Sequence, residues 1–186
     1  AKPYVVLDRI GHMQAGIPVS FVQLNEKIPV AGPGREVVNE EFEIGGKKYK
    51  YCCATVGNPH CVLPMGEVSE KLAREIGPVI ENMTSLFPNR TNVQLLQVLD
   101  RNNIKIEIWE RGAGYTLASG SSSSAAASVA HKLGLCDGDI TVHMEGGDLS
   151  IKISPDYSIT MSGPATKVGV YEMSPSVLSQ NVPIKM

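Results

Sequence analysis

Polar and apolar positions alternate with a period of two in several stretches of this chain. Ile104, Ile106 and Ile108 are interleaved with Lys105, Glu107 and Trp109, which predicts a strand with one face in a core. An apolar run at residues 93–99 precedes it, and residues 100–103 supply the loop of a hairpin. Gly45-Gly46, between residues 42–44 and 48–56, marks a second hairpin. More strands are expected within residues 4–22, where Gly11, Gly16 and Pro18 divide short apolar runs. Others are expected at 140–144, 149–153 and 159–161, with Gly146-Gly147-Asp148 and Pro155-Asp156 as turns. Residues 168–171 are a candidate last strand. Residues 29–41, with Pro33 and three acidic residues, read as an exposed connection.

Helical spacing occurs in two places. Val68, Leu72 and Ile76 share one face, with Glu67, Glu70, Lys71 and Arg74 on the other. Gly77-Pro78 is expected to interrupt this helix, and Val79, Ile80, Met83 and Leu86 suggest a second short one. The other place is residues 119–134. Ser119 or Ser121 can cap a helix there, Gly134 suits its far end, and His131 and Lys132 lie in the last turn. Its body of Ala125, Ala126, Ala127 and Ala130 has almost no bulk, so other backbone is expected to pack close around it. Many hairpin-linked strands with two or three helices predict an α+β fold. In that fold a barrel-like, curved, mostly antiparallel sheet closes around the central Ala/Ser-rich helix.

Composition narrows the function. The 186 residues suit one domain or two small ones, with 17 basic and 19 acidic side chains and a net charge of −2. There is no basic stripe for nucleic acid, no polybasic membrane anchor and no apolar run of membrane-spanning length. The start of the chain lacks a signal-peptide pattern. Cys52, Cys53, Cys61 and Cys136 include no C-x-x-C. That argues against a disulfide framework or a metal site, and a reducing cytoplasm is the expected location. A first residue of Ala1 rather than methionine fits a processed or excised piece.

Several residues can carry chemistry. A helix start at Ser119–Ser121 presents free N–H groups, hydroxyls and partial positive charge, which suits a carboxylate or phosphate. A buried Ala/Ser helix after a flexible turn is an equal reading of the same residues. His60 follows Asn58 and Pro59 in a polar turn, whereas His12, His131 and His143 lack such a setting. Glu110 and Arg111 end a strand, where they can hold a zwitterion or each other. Asn92 can bind a ligand or simply turn the chain.

Their combination resembles the diaminopimelate epimerase family. The matching motifs are I-G-P-V-I-E (76–81), G-N-P-H-C (57–61), F-P-N-R-T-N-V (87–93), E-R-G-A-G-Y-T-L-A-S-G (110–120) and M-S-G-P-A (161–165). The resemblance implies an isomerase with two similar lobes, each a barrel-like sheet around a helix, and an active site between them. This chain, residues 1–186, resembles the C-terminal lobe alone. The N-terminal lobe, with its catalytic cysteine in a C-G-N-G type loop, has no counterpart here, so this piece is expected to be inactive by itself. The family uses neither metal nor other cofactor. One thiolate removes the α-proton and a thiol on the opposite face returns one. Carried over by position, the Gly120 and Ser121 amides serve the α-carboxylate and Glu110 holds the reacting amino group. Asn58, Asn92 and Arg111 grip the far end of the substrate, and His60 helps keep one thiol ionised. The expected partners are an amino-acid substrate, the missing lobe and, as a further option, a second copy in a homodimer. The pathway implied is lysine biosynthesis.

Two departures bear on this. Ser119 stands where the family has its second catalytic cysteine. A thiol ionises near ~8.5 and water, taken as the guide for an alcohol, near ~15.7, a gap of roughly 10 kcal/mol in ionisation cost. Tyr115 replaces a glutamate, and Ser122 and Ser124 replace a glycine and a cysteine. Such clustering favours natural divergence over one engineered exchange. Three readings follow: a diaminopimelate epimerase lobe, a divergent racemase or one-base dehydratase of the same fold, and a non-catalytic amino-acid-binding lobe.

Overall fold

The slim helix is the axis of the molecule. In the computed structural model, which describes residues 4–7, 12–18, 20–21, 31–32 and 35–165, the strands in chain order begin with β1 (Tyr4–Leu7), β2 (His12–Pro18) and β3 (Ser20–Phe21). The hairpin of β4 (Glu40–Ile44) and β5 (Lys47–Thr55) turns through Gly45 and Gly46, both at positive φ (58° and 80°), as a two-residue turn of this hand requires. After β6 (Pro59–Met65) comes α1 (Glu70–Glu81), then β7 (Asn92–Asp100), β8 (Asn103–Glu110) and the short β9 (Gly114–Thr116). Helix α2 (Gly120–Lys132) precedes β10 (Asp139–His143), β11 (Leu149–Ile153) and β12 (Ser158–Pro164). The candidate strand at 168–171 lies outside the described residues.

Among the described residues, the sheet runs in the order β1-β2-β12-β11-β10-β8-β7-β6-β5-β3, with β4 added to β5 and β9 to β8. Neighbours are antiparallel except at β6–β7 and β8–β10. A parallel pair needs a crossover longer than a hairpin. Helix α1 lies in the first crossover and α2 in the second. The sheet curves around α2, which touches β5 through β8 and β10 through β12.

Strand alternation builds two cores. Val62, Leu96, Ile104, Ile106 and Ile108 face α2, together with Ile140, Val142, Ile151 and Ile159. Cys61, Leu63, Val93 and Leu95 point the other way, onto Val68, Ala73, Ile76 and Ile80 of the α1 side. Residues 122–130 of α2 are all buried. A helix buried on every side needs small side chains if seven strands are to reach it. Two of its hydroxyls are spent locally: Ser123 Oγ donates to Ser119 O at 2.8 Å and Ser128 Oγ to Ser124 O at 2.7 Å.

Three expectations are corrected. Helix α1 does not stop at Gly77-Pro78 but continues through both to Glu81, and no second helix follows among the described residues. Pro78 forfeits only its own N–H bond. Gly77 lets the helix lie against Trp109, since a Cβ there would stand 2.6 Å from Trp109 Cβ and Cγ. Tertiary packing on that indole outweighs the local breaker signal. The exposed connection at 29–41 is anchored in its described part. Val37 is buried, Cys53 N donates to its carbonyl at 2.9 Å, and Arg35 pairs with Glu40, which already belongs to β4. Strand β9 was not expected; it pairs with β8 and lies against α1.

Candidate active site

The start of α2 opens on a cleft of about 260 Å³, lined by Ala118, Ser119, Gly120, Met144 and the Gly146–Leu149 turn. Ser119 is the N-cap; its Oγ accepts from Ser122 N at a long 3.4 Å. The N–H groups of Gly120 and Ser121 have no partner among the described residues. A Cβ on Gly120 would meet the Met161 thioether at 2.9 Å, so a larger residue there would push that flexible side chain aside. Gly146 N donates to Leu117 O at 2.7 Å and pins the cleft wall to the helix entrance. Free amides at the positive end of a buried helix, beside an open cleft, can hold a carboxylate.

A second cluster forms where β6, β7 and β8 meet the turns at 56–58 and 111–113. Asn92, buried at the start of β7, donates from Nδ2 to Pro59 O (2.7 Å) and accepts the Arg111 N–H at Oδ1 (2.9 Å). The Arg111 side chain is exposed and donates to Asn89 O at 2.9 Å. Glu110 is half-buried, and its carboxylate has no hydrogen-bond or ion-pair partner among the described residues. His60, paired in register with Asn92, is 1% exposed, with Nε2 3.0 Å from Asn58 Oδ1. Asn58, His60, Asn92, Glu110 and Arg111 are thus one neighbourhood, and Ser119, Gly120 and Ser121 another. The bridge between them is Gln94, which donates from Nε2 to Ser122 Oγ at 3.0 Å and also neighbours His60.

The sequence reading missed two buried polar residues here. Gln94 sits inside an apolar run, and a polar residue at an inward strand position is itself a signal. Glu81, the last residue of α1, is 4% exposed and accepts from Arg90 Nη1 (2.9 Å), Trp109 Nε1 (2.7 Å) and Gly112 N (2.8 Å). With Asn92 it clamps the backbone N–H groups of both Arg111 and Gly112. Tyr115 packs beside the α1 core, its hydroxyl donating to Glu107 at 2.7 Å, away from the α2 start. Elsewhere, His131 bonds Cys136 O, and His143 lies between Asp148 and Asn103. All four cysteines are buried and free, and burial raises every one of their pKa values, so none is poised as a thiolate.

Burial lowers the pKa of His60 to about 4; the neighbouring Gln94 opposes that shift and the Arg111 charge adds to it. In an unfolded chain the imidazole titrates near 6.5. Between these values the unfolded chain binds a proton that the folded chain refuses. Stability from this group is therefore complete above about pH 6.5, falls as the pH drops towards 4, and levels off below. The whole step is about 3 kcal/mol. Denaturant melts at pH 7 and 4.5 should show most of that loss in the wild type and a smaller one in His60→Gln. Equal losses would assign the step to other groups.

Comparisons with known proteins bear on the family of the chain. The family model described as diaminopimelate epimerase matches residues 52–168. The chain is 53% identical over 152 residues to diaminopimelate epimerase 2 of Nostoc sp., covering 82% of this chain and 53% of that protein. It is 40% identical over 171 residues to diaminopimelate epimerase of Moorella thermoacetica, covering 90% of this chain and 60% of that one. It thus spans a little over half the length of these relatives. A hydroxyproline epimerase from Agrobacterium vitis, solved with trans-4-hydroxy-L-proline bound, shares the fold at 8% identity. Its TM-score is 0.56, over 83% of this chain and 50% of that one. An open helix start, a Glu-Arg turn and a buried histidine, in a chain matched by that family model over most of its length, lead to one assignment: this chain belongs to the diaminopimelate epimerase family.

Proposed function

We propose that the chain is the C-terminal lobe of a cofactor-independent amino-acid epimerase that interconverts LL- and meso-diaminopimelate for lysine biosynthesis. The observation that carries this reading is the α2 start, where Ser119 and Gly120 line an open cleft and the Gly120 and Ser121 amides have no partner among the described residues. An amino-acid α-carbon is a poor acid, so the charge that develops on the α-carboxylate must be met by fixed dipoles. The α2 amides supply them. Glu110, with no side-chain partner of its own, takes the amino group. Arg111, with Asn58 and Asn92 beside it, takes the distal carboxylate in two-point contact. A thiolate from the N-terminal lobe removes the α-proton, the electron pair passes into the carboxylate, and a proton returns to carbon from the opposite face. His60, buried and neutral at physiological pH, acts on that thiolate through Asn58 rather than as an imidazolium.

Ser119 favours a second reading. With a hydroxyl on one face, such a protein would exchange the α-proton for solvent deuterium faster than it inverts the centre, as a one-base enzyme does. Measuring exchange and inversion together in deuterium oxide separates the two. Arg111→Ala tests the distal grip: in the protein joined to its N-terminal lobe, diaminopimelate affinity should fall at least ~30-fold, the loss of a desolvated charge-paired contact of ~2 kcal/mol or more. Unchanged affinity would remove Arg111 from the site.

A further inference from the structure

A buried row of polar groups runs from the β5–β6 turn to the first turn of α2, and it is only half paired. His60 Nε2 meets Asn58 Oδ1 at 3.0 Å, and Gln94 Nε2 meets Ser122 Oγ at 3.0 Å. Between these bonds, His60 Nδ1 and Gln94 Oε1 are both buried without a partner. Each such orphan has left water without a replacement hydrogen bond, which is unfavourable. Ring chemistry shows how they pair. Nε2 faces an amide oxygen, so the favourable neutral ring carries its proton on Nε2 and leaves Nδ1 a bare acceptor. A bare Nδ1 needs a donor, which Gln94 Oε1 is not.

A half-turn of the Gln94 carboxamide exchanges its two ends. Its nitrogen then donates to His60 Nδ1 and its oxygen accepts the Ser122 hydroxyl proton. One rotation satisfies both orphans and keeps every existing contact. The opposite tautomer would donate from Nδ1 to Gln94 Oε1 as it stands, but it would require the Asn58 amide to turn instead, and it would leave the Ser122 proton without that acceptor.

We propose that Gln94 and Ser122 are positioning residues that hold His60 as its Nε2–H tautomer, with the N–H directed at Asn58. The purpose of this device rests on the epimerase reading, in which the His60 N–H fixes the Asn58 amide that faces the substrate. Ser122 is one of the departures noted above, a hydroxyl where the family carries glycine. In this chain it completes the support that Gln94 needs. The row also ties His60 to α2, because Ser122 N bonds the Ser119 cap.

The test needs no substrate, so its outcome is independent of whether the epimerase reading holds. The chain is labelled with 15N-histidine, and His60 is assigned by replacing His12, His131 and His143 in turn. At pH 7 the wild type should show a protonated Nε2 and a bare Nδ1 shifted upfield by an accepted hydrogen bond. In Gln94→Leu, close in size, the proton should stay on Nε2 while Nδ1 moves downfield to the position of an unbonded ring nitrogen. A wild-type proton on Nδ1, or an Nδ1 signal indifferent to Gln94→Leu, overturns the proposal. The wild-type tautomer decides by itself if the variant does not fold.

Discussion

Ser119→Cys, made in the protein joined to its N-terminal lobe, should raise exchange of the diaminopimelate α-proton by roughly 10²–10⁴-fold, the range in which a positioned acid or base contributes. The size follows from ionisation. An alcohol at this place is roughly seven pKa units harder to ionise than a thiol. The place itself adds to the gain, because a thiolate at a helix N-terminus lies below the ordinary thiol value. Residue 119 is the N-cap of a fully buried helix and lines the cleft, so a sulfur there faces both the helix dipole and the ligand space. The same change weakens a cap. Ser119 Oγ accepts from Ser122 N at 3.4 Å, a long bond, so the stability cost should stay near the lower end of the ~0.5–2 kcal/mol range for cap removal. Faster exchange with slightly lower stability is the combined signature. No gain in exchange with the fold intact would show that position 119 is not where the second proton is handled.

The period-two stretches and the small-residue helix made the hairpins and α2 legible before any coordinates, because burial on one face or all faces writes itself into residue size. Gly120 and Ser121 were recognisable as a helix start for the same reason. Other features depend on partners distant in sequence and leave no local pattern. The passage of α1 through Pro78 depends on Trp109, 31 residues away. Strand β9 is three residues long, too short for any periodicity to register. Asn92 was read as a ligand-binding residue or a simple turn, whereas in the fold its amide first holds Pro59 and Arg111 in place. Tyr115 and Ser122 looked like equivalent departures from the family. In the fold one lies against the α1 side and the other sits in the row that supports His60.

Glu81 shows how far the site depends on groups that never touch a ligand. Glu81→Ala should cost about 1–3 kcal/mol in a denaturant melt, the range for a donor left without its buried acceptor. Its carboxylate takes three donors from three places: the Trp109 indole, the Arg90 guanidinium and the Gly112 backbone. Alanine would leave the half-buried indole N–H without an acceptor, whereas Gly112 is exposed and its N–H can turn to water. Glu81→Gln keeps the shape but turns an N–H towards at least one of these donors, so it should fall between wild type and alanine. The functional consequence is local. Arg111 N is held by Asn92 and Gly112 N by Glu81, so losing either clamp frees the turn that carries Arg111. Glu81→Gln should therefore weaken diaminopimelate affinity more than a surface change such as Glu70→Gln on the same helix, whose ion pair with Arg74 is exposed. A Glu81→Ala cost below 1 kcal/mol, or a Glu81→Gln affinity equal to that of Glu70→Gln, would mean that the turn holds its shape without the carboxylate.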